Sequence, residues 1–121
     1  MSVLLIDDDP GVRATLGRAL EKAGFDVTAV GGSVAAFAEL GKRSFQAIVC
    51  DVVLPLADGT VLYESIQDDF PDMADRVIFV SGWIKDEKTR RLLEYTGRPF
   101  LTKPVKPATL VQAVREVIDG S

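Results

Sequence analysis

The apolar run at residues 45–50, which ends abruptly in Asp51, constrains the fold more than any other stretch of this chain. An apolar run of this length, bounded by turn residues, is typical of a strand buried on both faces of a parallel sheet. Asp51 is therefore predicted at the carboxyl end of a buried strand, the edge where open α/β sheets bind ligands. An aspartate there can either cap the following turn or react, and the residues that end the other strands distinguish the two.

Four more apolar runs alternate with segments of helical spacing. Strands are predicted at residues 3–6, 26–30, 45–51, 76–80 and 100–102, and helices at about residues 10–23, 34–40, 58–69, 84–96 and 110–118. This alternation requires right-handed crossovers, which place helices on both faces of a five-stranded parallel sheet. We therefore predict an α/β fold in which residues 1–121 form a single domain.

Helix ends carry local signals of their own. Asp9 before Pro10 is a natural N-cap, whereas Asp7 and Asp8 have no such local role, and adjacent like charges cost free energy. Ser33 is expected to cap the second helix. The inner face of that helix is expected to carry Val34, Phe37, Ala38 and Leu40.

The fourth predicted helix, residues 84–96, has a poor apolar face. Such a helix is weakly held by packing. It is either a solvated surface helix or a mobile element used in signalling.

The chain of 121 residues has no histidine and one cysteine, Cys50. A Ser-His-Asp or Cys-His nucleophile system and a histidine-ligated zinc site are therefore excluded within this chain. An internal disulfide is excluded too, and a buried cysteine fits a reducing compartment. A bound metal would need oxygen ligands, which suits a hard cation such as Mg²⁺.

The net charge of −4 argues against nucleic acid as a direct partner, because phosphate backbones require a basic surface. No signal peptide is evident, and no apolar run approaches the ~18 residues that cross a membrane. We therefore expect a cytoplasmic protein with no direct nucleic-acid or membrane partner.

Polar residues that can do chemistry end four of the five predicted strands. Asp7 and Asp8 follow the first strand, Asp51 ends the third, Ser81 follows the fourth and Lys103 the fifth. Three carboxylates meeting at one edge would repel one another, and a divalent cation removes that problem.

This set suits phosphoryl transfer, which depends on positioning and on positive charge near the transferred oxygens. Asp51 would be the nucleophile and form an acyl phosphate. Mg²⁺ and Lys103 would neutralise the transferring group, and the Ser81 hydroxyl and backbone N–H groups would bind its oxygens.

With these residues the chain resembles the receiver domain of two-component response regulators. The resemblance spans residues 3–118 and rests on Ile6-Asp7-Asp8-Asp9, Asp51 with Leu54-Pro55 and Asp58-Gly59, Val80-Ser81-Gly82, and Phe100 to Pro104. It implies the flavodoxin-like (βα)5 fold with strand order 2-1-3-4-5, of which receivers are a known example.

The resemblance also implies residue roles. Asp51 accepts a phosphoryl group from the phosphohistidine of a histidine kinase or histidine phosphotransfer domain. Asp8 and Asp51 bind Mg²⁺ (or Mn²⁺) through their side chains, Asp7 binds it mainly through water, and Val53 binds it through its backbone carbonyl. The receiver itself would catalyse the transfer onto Asp51. It would not turn over substrate as an ordinary enzyme does.

Further roles concern the switch. Ser81 and Lys103 contact the phosphoryl group, and the Lys103-Pro104 peptide is similar to one that is often cis in this family. Phe100 takes the place of the aromatic residue that turns inward when the hydroxyl moves towards the phosphate. A protein output partner would bind the face formed by the fourth helix, fifth strand and fifth helix.

Two positions bear on phosphoryl lifetime. Val53 and Trp83 stand where family members often carry polar side chains that position a hydrolytic water, and neither can orient water well. We therefore expect slow self-dephosphorylation. Residues 96–104 are similar to receivers fused to hybrid sensor kinases, which suggests such an origin.

Other readings remain open. A haloacid-dehalogenase-type phosphatase also uses a strand-end Asp, a Ser/Thr and a Lys, but carries a second Asp where Val53 stands. A P-loop has no supporting motif, and anions at residues 7–9 disfavour a flavodoxin phosphate loop. A receiver-like module that binds its partner constitutively, without phosphorylation, also fits.

Overall fold

A computed structural model describes residues 1–54, 59–82, 84 and 86–120 of the chain. Strands and helices alternate in the order β1 (Ser2–Ile6), α1 (Pro10–Lys22), β2 (Asp26–Val30), α2 (Ser33–Leu40), β3 (Ala47–Asp51), α3 (Gly59–Asp69), a short 3-10 helix (Pro71–Arg76), β4 (Val77–Ser81), α4 (Glu87–Thr96), β5 (Phe100–Thr102) and α5 (Pro107–Gly120). None of the helices described is long and apolar enough to cross a membrane.

The five strands are parallel and lie in the order β2-β1-β3-β4-β5. Alternate residues of β1, β3 and β4 point to opposite faces, so both faces of the central sheet are apolar. One face packs with α2, α3 and α4, and the other packs with α1 and α5. The predicted flavodoxin-like fold and its strand order are therefore confirmed.

Local signals placed α1 correctly. One carboxylate oxygen of Asp9 accepts hydrogen bonds from the backbone N–H of Gly11 at 2.8 Å and of Val12 at 3.2 Å. Pro10 occupies the first turn. After the helix, Gly24 adopts φ +97°, a conformation that favours glycine. The predicted cap and the predicted stop are both confirmed.

The prediction for α2 was partly wrong. Gly32, not Ser33, is the N-cap, and Ser33 is the first helical residue. Val34 is 73% exposed, whereas Ala36 and Leu40 are buried. Ala38 is exposed as well, and Phe37 is half-buried. Small apolar residues occur all round this short helix, so their spacing did not determine which side faces the sheet.

The predicted strand starts also differ. β3 begins at Ala47 and β4 at Val77, and the 3-10 helix between α3 and β4 was not predicted. Phe45 nevertheless remains fully buried ahead of β3. The apolar run thus predicted correctly which residues are buried, but it is longer than the hydrogen-bonded strand.

Helix α4 begins later than predicted, at Glu87, with the Asp86 carboxylate accepting from the Lys88 N–H. Among its apolar side chains Leu93 is buried, whereas Leu92 and Tyr95 are exposed. The expected poor apolar face is confirmed, and packing holds this helix weakly.

Candidate functional site

The carboxyl ends of β1, β3, β4 and β5 meet at one edge of the sheet. Asp7 follows β1, Asp51 ends β3, Ser81 ends β4 and Lys103 follows β5. Asp51 lies beside Val80 in the β3–β4 register, and the Lys103 N–H donates to the Ser81 carbonyl at 2.7 Å. Asp7, Asp51 and Ser81 are all nearly inaccessible to solvent. The structure therefore brings together the strand-end residues predicted from the sequence.

Lys103 bridges the two buried carboxylates. Its ammonium Nζ lies 2.9 Å from Asp7 Oδ2 and 2.9 Å from Asp51 Oδ2. The other oxygens are held by the backbone, because Asp9 N–H donates to Asp7 Oδ1 at 2.9 Å and Val53 N–H donates to Asp51 Oδ1 at 3.0 Å. Both carboxylates are thus fixed in orientation at both oxygens.

Burial raises the pKa of the Asp51 carboxyl above its usual range, and the hydrogen bonds from Lys103 and Val53 only partly oppose this. Burial alone would lower the pKa of Lys103, but its hydrogen bonds to Asp51 and Asp7 outweigh burial and raise that pKa. The crevice therefore holds a charged lysine beside an aspartate whose ionisation is costly.

The acidic residues of this crevice fit a hard cation. Asp7, Asp8 and Asp51 each offer a carboxylate oxygen, and the three oxygens lie within 4.8 Å of one another. Asp8 is exposed, so the cluster opens to solvent. Mg²⁺ prefers oxygen ligands and keeps several waters, which a partly open carboxylate cluster allows. Val53, the further residue expected to bind the metal, lies two residues after the end of β3 and is 62% exposed.

The two predicted switch residues lie on neighbouring strands, with Ser81 at the carboxyl end of β4 and Phe100 at the start of β5. Ser81 is buried, whereas the Phe100 ring is 38% exposed. Phe100 lines a cavity of about 350 Å³ between β5 and α4, together with Ile84, Arg90 and Leu93. A cavity beside a half-exposed aromatic ring gives that ring a second place to pack.

Pro104 follows Lys103 through a cis peptide bond, as the resemblance implied. Three other positions on which the sequence argument relied, Pro55, Asp58 and Trp83, lie outside the described residues.

Sequence reasoning missed two residues around the site. The Arg13 side chain donates from Nη1 to the Asp7 carbonyl at 2.7 Å. Gly59 begins α3 against the end of β3, with its N–H donating to the Val52 carbonyl at 2.8 Å. Arg13 lies in the first turn of α1, and no sequence signal assigned it a role. Gly59 was noted as part of the Asp58-Gly59 motif near the start of the third helix, but its close approach to β3 was not predicted.

Gly59→Ala is expected to lower the free energy of unfolding by about 2–4 kcal/mol. A Cβ at this position would lie 2.7 Å from the Asp51 carbonyl oxygen and 3.0 Å from Val52 Cα. Both neighbours are backbone atoms, so α3 or the end of β3 must shift. Urea unfolding measures the loss.

Gly17→Ala is the matched control for this prediction. Gly17 is also helical, but a Cβ there would meet only Leu5 Cδ2, at 3.8 Å. Alanine stabilises a helix interior relative to glycine, so this control should gain up to about 1 kcal/mol. Equal changes in the two variants would contradict the close approach at Gly59.

Comparisons with known proteins agree with this geometry. The family model described as "Response regulator receiver domain" matches residues 3–115. The response regulator receiver protein CpdR of Brucella abortus is 33% identical over 103 residues, which cover 81% of this chain and 84% of CpdR. The sensor kinase CckA of the same organism is 34% identical over 121 residues, which cover 98% of this chain but only 12% of CckA.

A solved structure agrees as well. The response regulator receiver domain protein (CheY-like) from Methanospirillum hungatei superposes with a TM-score of 0.89 at 25% identity, covering 98% of this chain and 94% of that one. The structural comparison therefore agrees with the sequence comparisons.

Proposed function

The chain belongs to the response regulator receiver domain family of two-component signalling, and we propose that it accepts a phosphoryl group on Asp51 in a Mg²⁺-dependent reaction. The donor is a phosphohistidine on a histidine kinase or a histidine phosphotransfer domain. Residues 1–121 act as one receiver domain, and they act in the cytoplasm. Phosphorylation changes the face that an output partner binds.

One observation carries this proposal. The Lys103 ammonium lies 2.9 Å from both Asp7 and Asp51, and Asp8 adds a third carboxylate oxygen within 4.8 Å. A structural ion pair needs only one carboxylate, and a third one at the same place costs free energy without a cation. Mg²⁺ would neutralise this excess of negative charge around one lysine, and the cation and Lys103 together would then offer positive charge to an incoming phosphoryl group.

The residues divide the reaction among them. Asp51 Oδ attacks the phosphorus in line as the phosphorus–nitrogen bond to the donor histidine breaks, and the imidazole leaves with the electron pair. The two oxygens of Asp51 are held by Lys103 and by the Val53 N–H, which fixes the angle of attack. Lys103 then contacts the phosphoryl oxygens, and the Ser81 hydroxyl donates to another of them.

Mg²⁺ would be held by the side chains of Asp8 and Asp51, by Asp7 through water and by the Val53 carbonyl, the roles that the resemblance implies. When bound, it supplies positive charge to the equatorial oxygens of the transferring group. Mn²⁺ can replace it, because the same oxygen ligands suit both ions.

The output switch involves Ser81 and Phe100. When the Ser81 hydroxyl turns towards the phosphoryl group, Phe100 moves from its half-exposed position into the cavity against Leu93. Phenylalanine has no hydroxyl, so burial of the ring drives this step rather than a new hydrogen bond. The surface of α4, β5 and α5 changes as a result, and there the output partner binds.

Asp51→Asn is expected to abolish phosphorylation. Incubation with phosphoramidate or acetyl phosphate and Mg²⁺ should add one phosphoryl group, about 80 Da by intact mass, to the wild type, because a carboxylate is the nucleophile. The amide that replaces this carboxylate is not nucleophilic, so the variant should gain nothing. Removal of Mg²⁺ with EDTA should also prevent the adduct.

Asp26→Asn serves as the matched control, since Asp26 is an exposed aspartate at the start of β2. It should be phosphorylated like the wild type. An adduct that persists in Asp51→Asn would place the phosphoryl group elsewhere. Absence of an adduct in the wild type with both small donors and a phosphohistidine protein would instead favour a module that binds its partner constitutively.

A further inference from the structure

The Arg13 side chain extends from the first turn of α1 to the end of β1, where Asp7 and Asp8 follow. Its Nη1 donates to the Asp7 carbonyl at 2.7 Å, and its own backbone N–H donates to the Asp9 carbonyl at 2.9 Å. The side chain is half-buried. A Cβ on Gly31 would lie 3.2 Å from the same Nη1, so the guanidinium packs closely against the chain that follows β2.

These contacts complete the restraint of the peptide between Asp7 and Asp8. The Asp7 N–H donates to the Val30 carbonyl at 3.1 Å, and the Asp7 side chain is held at both oxygens. The peptide group that follows Asp7 is planar, so the direction of its carbonyl also sets the direction of the chain entering Asp8. The hydrogen bond from Arg13 therefore fixes the position of the Asp8 backbone, from which the exposed Asp8 side chain extends.

We propose that Arg13 is a positioning residue for the metal site, which holds the Asp7–Asp8 peptide so that the Asp8 carboxylate meets those of Asp7 and Asp51. This inference rests on the proposed Mg²⁺-dependent function. In this role Arg13 would act through the Asp7 carbonyl, to which it donates, and not as a ligand of the metal. Outer partners that orient metal ligands typically change metal affinity by about 10–100-fold when they are removed.

The direction of the change in Mg²⁺ affinity when Arg13 is replaced distinguishes a positioning role from a purely electrostatic one. Arg13 carries a permanent positive charge, which repels a cation bound nearby. Removal of that charge alone would tighten Mg²⁺ binding. Loss of the hydrogen bond to the Asp7 carbonyl would weaken it, because the Asp8 carboxylate would then be ordered only when the metal binds.

The test is a titration with MgCl2 of the wild type, Arg13→Met, Arg13→Lys and Arg18→Met, followed by the melting temperature at each concentration. Each curve gives the metal-free stability and the apparent dissociation constant separately. We expect Arg13→Met to raise the dissociation constant about tenfold. Arg13→Lys keeps a donor and should lie between Arg13→Met and the wild type.

Arg18 is an exposed arginine on the same helix and provides the control for charge. Arg18→Met should leave Mg²⁺ binding unchanged or slightly tighter. Unchanged or tighter binding in Arg13→Met would overturn the inference, as would a lower metal-free melting temperature with an unaltered dissociation constant. A wild type that does not respond to MgCl2 would overturn the proposed function itself, and this outcome is separate from a failure of Arg13 alone.

Discussion

Lys103→Met is expected to lower the free energy of unfolding of the metal-free protein by about 2–4 kcal/mol. The lysine side chain is 23% exposed, whereas the side chains of Asp7 and Asp51 are 2% and 5% exposed. Methionine keeps much of the stem but removes the ammonium, so two buried carboxylates lose their shared partner. Urea unfolding in EDTA measures the loss.

The pH dependence of that loss follows from two pKa shifts. The pKa of Lys103 is raised in the folded state, so its stabilisation is present below the ordinary lysine pKa and disappears as the pH rises through the folded value. The pKa of Asp51 is raised as well, mainly by burial, so its ionised form costs stability, and this cost is relieved as the pH falls through the folded value. The deficit of Lys103→Met should therefore be largest near neutral pH and shrink towards acid.

Two controls sharpen the experiment. Lys106 is an exposed lysine close to Lys103 in the chain, and Lys106→Met should change stability by less than about 0.5 kcal/mol. In an Asp51→Asn background the effect of Lys103→Met should be smaller, because one of the two carboxylates is already neutral. Equal losses in the two lysine variants, or a deficit that does not change with pH, would contradict the role assigned to the bridge.

The features that the sequence predicted well depend on local or periodic signals. Asp9 caps the next helix through atoms two and three residues away, so its role could be inferred directly. The strand-end positions of Asp51 and Lys103 follow from the alternation of strands and helices, which forces parallel strands to end at a common edge. The strand order itself came from the resemblance rather than from the pattern.

The features that the sequence did not predict depend on contacts between distant segments. Arg13 acts through a long side chain on a carbonyl of another element, and no spacing rule identifies that acceptor. Gly59 matters because the end of β3 passes 2.7 Å from where its Cβ would lie, which is a property of packing. In α2, Val34 and Ala36 are both small and apolar, so only the position of the helix on the sheet determines which one is buried.

Val53→Asn is expected to speed loss of the phosphoryl group from Asp51 by about tenfold or more, the factor that one well-placed hydrogen bond to the attacking water would provide. The Val53 N–H donates to Asp51 at 3.0 Å, which holds this residue beside the phosphoacceptor, and its side chain is 62% exposed. A valine there offers water no hydrogen bond. An amide would offer both a donor and an acceptor without disturbing the core.

The measurement is the decay of the intact-mass adduct in Mg²⁺ after the donor has been removed, for the wild type, Val53→Asn and Val53→Ala. Alanine shortens the side chain without adding a polar group. The Val53→Ala variant therefore shows how much of any faster hydrolysis comes from easier access of water, rather than from a hydrogen bond that orients the water. If alanine speeds the decay as much as asparagine, valine slows hydrolysis by shielding the phosphoryl group. A wild-type lifetime of only seconds would contradict slow self-dephosphorylation altogether. A long lifetime that asparagine alone shortens would show that the missing polar group at position 53 limits hydrolysis, because a bound water that is not oriented gains little from Mg²⁺ and Lys103.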